Sequence, residues 1–184
     1  MSKSSELSAE VLEGVPIFYH LSEADRRQLA GVASAVIYEE GEVILRQGKI
    51  SQNLWIVLEG KCEVIKELTA DTGDKEEIIL AELEPFQSFG EMSFFHSAAH
   101  VANVRAATRL KLMRLEREAF DGLLANGSEA AYKLTLNTVT TLAERLRHMD
   151  DWVAELLSEA PEGETDAPEW RRFRDKLFEQ WSNL

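Results

Sequence analysis

Between Gln87 and Ala106 the chain reads QSFGEMSFFHSAAHVANVRA, and its chemistry-bearing residues gather there. Gly90 and Glu91 stand side by side, small residues follow, and a strand-like run begins near Val101. A carboxylate beside a turn of small residues can form a pocket for an anionic ligand, because the turn's amides are free to cradle it. Such a pocket needs a fixed cation, best supplied by a planar guanidinium fork. Where that charge belongs, the chain offers His100. A neutral imidazole brings one donor; a protonated one brings charge but no fork.

The same residues suggest a second chemistry. Glu91, His96 and His100 make a conceivable three-ligand metal set. Four-residue spacing clusters ligands only if the segment is helical. The His-x-His pair, with the downstream Glu and His that metal-binding β-rolls use, is missing, so no metal is assigned. The remaining histidines, His20 and His148, lie far off in sequence. No nucleophile elbow, P-loop or dinucleotide fingerprint occurs. Acidic pairs such as Glu76-Glu77 and Asp150-Asp151 read as solvated faces. The chain is read as not an enzyme.

The elements that position these residues follow from periodicity. Residues 1–33 read helical. Ser8 can cap a turn through AEVLEG, and Ser22 with Asp25 three residues on makes a capping-box start for EADRRQLAGVA. From residue 34 to 116 the period falls toward two. The runs AVIYEEGE, EVILRQGK, NLWIVLEGK, CEVIKEL, EIILAEL, VANVRAA and RLKLMRLE are evenly spaced, and Gly41, Gly48, Gly60 and Gly73 punctuate them. About eight such strands predict a mainly β fold, an antiparallel β-roll or jelly roll flanked by helices. Thr69 to Glu77 reads as a long hairpin tip. A short helix over EREAFDGLLANG closes the 34–127 segment at Asn126-Gly127. Ser128 then caps a long helix over 128–158, with Tyr132, Thr135, Val139, Leu142, Leu146, Met149, Val153 and Leu156 alternating by three and four. That is a heptad seam, and it points to a homodimer through residues 132–156, although a helix packed on its own roll gives a similar pattern. Residues 159–168 form an acidic Pro/Gly linker. Residues 169–184 form a short amphipathic helix with Trp170, Phe173, Leu177 and Trp181 on one stripe. Sixteen residues cannot bury that stripe alone, so it docks on the body, a second protomer or a protein partner.

Charge and composition narrow the partners. The net charge of the 184 residues is −13, from 20 basic and 33 acidic side chains, and no Lys/Arg-rich segment stands out. Nucleic acid binding is therefore disfavoured. No apolar run approaches the roughly 18 residues of a membrane span, and the N-terminus lacks a signal-peptide core, so a cytoplasmic location is expected. The single cysteine, Cys62, excludes an internal disulfide and reads as a small buried strand residue.

The order of parts resembles a known family. VPIFYHLSEADRRQLA is followed by GEVILRQG and LWIVLEGKCEV, then FGEMSFF and a long helix. This is similar to the cyclic-nucleotide-binding domain of the CRP/FNR regulators and of the regulatory subunits of cAMP-dependent kinase, over roughly residues 15–157. The family cassette reads like F-G-E-L-A-L, a spacer, then P-R-A-A-T-V. Phe89-Gly90-Glu91 match its first half, with Met92 next, and the resemblance makes Glu91 the ribose acceptor. In the second half Ala99 replaces proline and His100 replaces the phosphate arginine. Val101 and Ala102 fill the small positions, Asn103 replaces a hydroxyl residue, and Val104 matches. Phe86 stands at a common turn glycine.

The resemblance further implies that the long helix reaches the base, which places Met149, Asp150 and Trp152 near that role. Methionine can pack on a base but not read its edge. Trp152 can cap a base by stacking, or pack against solvent or the tail. Arg105 can swing toward the pocket or follow strand alternation outward. Too few residues follow the long helix for a winged helix-turn-helix. The expectation is a stand-alone regulatory or adaptor protein of bacterial type, with cAMP or cGMP as candidate ligand and binding weakened or redirected by loss of the arginine. A ligand-free scaffold and a receptor for another anion stay open.

Overall fold

The computed structural model describes residues 7–69 and 75–159, the side chains of 156–159 excepted. The expected linker over 159–168 apart from Glu159, the tail helix over 169–184, Gly73 and the tip of the Thr69–Glu77 hairpin lie outside the described residues. The chain divides into two compact units at Thr141/Leu142.

The first unit opens with two short 3₁₀ turns, Ala9–Leu12 and Pro16–Phe18, and helix α1 (Glu23–Val32). Ser8 caps the first turn through the Glu10 amide. Ser22 and Asp25 form the reciprocal capping box read from the sequence. Eight strands follow: β1 (Ser34–Tyr38), β2 (Val43–Leu45), β3 (Asn53–Glu59), β4 (Cys62–Thr69), β5 (Lys75–Leu83), β6 (Ser88–Phe89), β7 (Asn103–Ala106) and β8 (Leu110–Glu116). They form two four-stranded antiparallel sheets, ordered β1-β8-β3-β6 and β2-β7-β4-β5. Between β6 and β7 lies a short helix, α2 (Glu91–Phe95). After β8 come α3 (Arg117–Ala125) and α4 (Glu129–Glu159), which crosses the unit boundary.

Strand β3 explains how the roll is held. Its LWIVL run is buried on both faces. Trp55 and Val57 face inward between the sheets, with Leu45, Cys62, Phe89, Val104, Leu110 and Leu112. Leu54, Ile56 and Leu58 face the other way, under a layer that includes Phe18, Leu29, Phe94, Phe120 and Leu134. A strand covered on both sides reads as a continuous apolar run rather than an alternating one. Cys62 sits fully buried between the sheets, as expected of a small strand residue, and burial, with Glu82 nearby, pushes its thiol up to about 12.

The start of α4 is fastened to the N-terminal segment. The Ser128 hydroxyl donates to Gln28 Oε1 at 2.7 Å, and Lys133 Nζ reaches Asp25 Oδ2 at 2.9 Å. Asn137 Nδ2 donates to the carbonyls of Ile17 and Tyr19 at 3.0 and 2.6 Å. Tyr132, Val139, Leu146 and Met149 of the heptad pattern are exposed.

Candidate functional site

The site begins where β6 turns into α2. Gly90 is the N-cap of α2 with φ 84°, in the left-handed region. A Cβ there would lie 2.6 Å from the Asn53 carbonyl oxygen and 3.2 Å from Trp55 Cδ1. Glycine is thus required twice, for its dihedral and for the approach of backbone to backbone. The turn places Glu91 at the first position of α2, 3% exposed. A buried carboxylate is costly unless engaged. Ser93, one turn inside the helix, is also buried, whereas Met92 points out to solvent.

The segment that follows α2 folds back on it through His100. The His100 amide donates to the Lys49 carbonyl at 2.8 Å, and its carbonyl accepts from the Gly48 amide at 2.9 Å. The turn is thereby laced to the loop after β2. His100 as a whole is 7% exposed, with Nε2 2.7 Å from Ser51 Oγ and Nδ1 2.9 Å from Ser93 Oγ. Burial lowers its pKa from the ordinary histidine value. As it sits, His100 has both ring nitrogens committed to hydroxyls, and its burial disfavours the charged form. It has no ring nitrogen to spare for the turn. Val101 is exposed and Ala102 buried.

Around this turn lies a polar lattice. Asn103 Oδ1 accepts from the Gln47 amide at 2.8 Å, and Nδ2 donates to Glu67 Oε1 at 2.6 Å. Gln47 clamps the Glu67 backbone in return, its Oε1 accepting from the amide at 2.9 Å and its Nε2 donating to the carbonyl at 3.0 Å. The Asn103 hydrogen bond, then Lys75, holds the Glu67 carboxyl below its usual pKa. Asn103 therefore works as a bridge between three elements, a role a hydroxyl is too short to fill.

Gly90, Glu91, His100, Val101 and Ala102 thus lie on one α2-turn assembly, joined by the Ser93–His100 contact. Arg105 points away from it. Its guanidinium bonds Glu63 and Glu77, both at 3.2 Å, so strand alternation has won and the arginine is spent on an outer-face ion pair. Met149 and Trp152 lie on α4 beyond the unit boundary, both exposed. Among the described residues no group of three side chains comes together in a way that could hold a metal ion, and His96 is exposed at the end of α2. Sequence reasoning missed Ser51 and Ser93 as the partners of the imidazole. Ser93 sits where the cassette carries a small residue, and nothing in the sequence distinguishes Ser51 from any loop serine.

With this geometry in hand, likeness to known proteins becomes interpretable. Residues 35–126 match the cyclic nucleotide-binding domain family. The chain belongs to that family. It is 31% identical over 120 residues to a cAMP-dependent protein kinase regulatory subunit of Schizosaccharomyces pombe, covering 65% of this chain and 27% of the relative. The chain spans about a third or less of the length of such relatives. Among solved structures, the catabolite activator protein of Thermus thermophilus superposes with TM-score 0.66 at 28% identity, covering 77% of this chain and 62% of that one. A cyclic nucleotide-binding domain from Methylobacillus flagellatus gives TM-score 0.69 at 22% identity, over 80% and 81%. The mainly β roll with flanking helices and a long C-terminal helix is the shared architecture, and it makes this a domain of the cyclic-nucleotide-binding regulatory type. Among the described residues no helix is long and apolar enough to cross a membrane.

Proposed function

We propose that this chain is a regulatory or adaptor module whose cyclic-nucleotide site is weakened or redirected at the phosphate. Glu91 and Gly90 serve the sugar side of the ligand, and the amides at Val101 and Ala102 serve the anionic side. The observation that carries the reading is the bonding of His100. Both ring nitrogens are taken by Ser51 and Ser93, and burial disfavours protonation. A guanidinium there would present a fork to a phosphodiester; this imidazole instead braces the turn. The ligand class follows from the family, so cAMP and cGMP are the first candidates.

The module works as a dimer through residues 132–156. The exposed Tyr132, Val139, Leu146 and Met149 support this, since apolar side chains at heptad spacing gain most when paired. The ligand acts by shifting α4 between two packings. A protein partner engages the segment 169–184. The module acts in the cytoplasm, through protein contacts rather than catalysis.

Calorimetric titration of the whole chain with cAMP, cGMP and cyclic dinucleotides tests this. Wild-type protein should bind at least tenfold more weakly than His100→Arg. A wild-type affinity for cAMP equal to that of His100→Arg would overturn the reading. No heat from any of these ligands in either protein would favour a ligand-free scaffold, and heat only from a non-cyclic anion a different receptor.

A further inference from the structure

If His100 brings no charge, an anion in this turn needs another cation, and we infer that Lys66 supplies it. Lys66 extends from β4, and its Nζ donates to the Val101 carbonyl at 2.5 Å. Val101 O and the Ala102 amide nitrogen belong to one peptide unit, so standard bond lengths put Nζ within about 5 Å of that amide nitrogen. A trans peptide points its carbonyl and its N–H to opposite edges, so Nζ meets an anion on these amides by swinging off the carbonyl, within the reach of its four-carbon stem. The amides of Val101 and Ala102 donate to no acceptor among the described residues. An ammonium has three donors, and the Val101 carbonyl uses one.

The arginines nearby are committed or turned away. Arg105 is held by Glu63 and Glu77. Arg46 is exposed and faces the Glu67 carboxylate. Lys49 touches the turn through its backbone carbonyl, which accepts the His100 amide, and its ammonium makes no ion pair among the described residues. Lys66 has no carboxylate partner among the described residues. A point charge on a flexible stem also differs in kind from a guanidinium. It does not impose a bidentate diester geometry, so it admits other oxyanions: phosphomonoesters as readily as a cyclic phosphodiester. Lys66 is thus a specificity-determining residue, which deepens the functional reading above and rests on it for the location of the ligand.

The test uses the whole chain and its Lys66→Met, Lys66→Arg and Lys49→Met variants. Each is titrated with cAMP by calorimetry, and with inorganic phosphate while the Val101 and Ala102 amide resonances are followed. Loss of one charge-assisted contact should weaken binding roughly ten- to hundredfold in Lys66→Met. Lys66→Arg should stay within about threefold of wild type, and so should Lys49→Met, which removes the same charge from the neighbouring loop. If cAMP binds wild type and Lys66→Met no differently from Lys49→Met, the lysine assignment is wrong and the cyclic-nucleotide reading stands. If cAMP gives no binding but phosphate shifts the Val101 and Ala102 amides in wild type and not in Lys66→Met, the lysine assignment stands and the cyclic nucleotide does not. If neither probe binds wild type, both fall.

Discussion

Gly90→Ala offers a direct test of how the site is built, with Gly41→Ala as its control. Both glycines have φ of 84°, so both alanines pay for the left-handed region, about 1–2 kcal/mol. They differ in what a methyl group meets. At Gly41 nothing lies within 4 Å. At Gly90 the Cβ would be 2.6 Å from the Asn53 carbonyl oxygen, which belongs to β3 and cannot swing aside as a side chain would. Forcing such a group into a packed site costs about 1–3 kcal/mol more. Gly41→Ala should therefore lose about 1 kcal/mol of stability, and Gly90→Ala about 3 kcal/mol. With a urea m-value of about 2 kcal/mol per molar, the two midpoints should differ by about 1 M. Urea unfolding followed by far-ultraviolet circular dichroism measures this. Equal midpoints for the two variants would show that the α2 turn is not pinned against β3, and the argument that Gly90 positions Glu91 would fail with it.

Other consequences are open to measurement. Because burial raises the Cys62 thiol to about 12, the native protein should resist a thiol reagent at pH 8 and react fully once unfolded in denaturant; rapid native labelling would contradict the packing between the sheets. His100 titrates below its unfolded value, so its neutral form adds stability that is complete above about pH 6.5 and is lost as pH falls through the lowered folded pKa. The stability gap between wild type and His100→Gln, from urea midpoints between pH 5 and 8, should shrink on the acid side; a gap that widens there would mean the ring is held charged. Asn137→Ala removes the donor to the Ile17 and Tyr19 carbonyls and should cost about 1–2 kcal/mol, with faster hydrogen exchange in the 16–21 segment. No change in exchange would mean that α4 is fastened elsewhere.

The fold was legible where side-chain period and turn chemistry agree. Seven short apolar runs became strands, and the capping box at Ser22 and the cap at Ser128 form as the residue types dictate. What escaped was too short to carry a period. Strand β6 has only Ser88 and Phe89, held by pairing with Ile56 and Trp55 of β3, so tertiary context makes it. Helix α2 is five residues with two phenylalanines, and its apolar run looks the same as a strand's. Its helical form comes from the left-handed Gly90 cap. Phe86 shows the converse. The resemblance places it at a turn glycine, and its φ of 75° retains the glycine conformation under a bulky side chain. Such strain persists only where the surroundings fix it. The Phe86 amide is held by the Val57 carbonyl at 2.8 Å, and the ring lies 3.8 Å from where a Gly14 Cβ would be.

The candidate site divides the same way, for a physical reason. Gly90 and Glu91 came from the F-G-E match of the resemblance, and the left-handed turn at Gly90 is a local matter of the kind a residue type can carry. The role of His100 could not, since it depends on two hydroxyls contributed from 49 residues upstream and 7 residues upstream. A histidine in an arginine's position suggests, by type alone, a weaker cation. Contacts decide otherwise: between Ser51 and Ser93 the ring becomes a strut, and the charge question moves to residues on neighbouring strands. Arg105 and Lys66 are both basic and both near, yet one strand's alternation spends the first on Glu63 and Glu77 while the other's length carries the second to the Val101 carbonyl. On the proposal made here for Lys66, the cation that serves such a turn is to be sought across the sheet from it rather than at position 100.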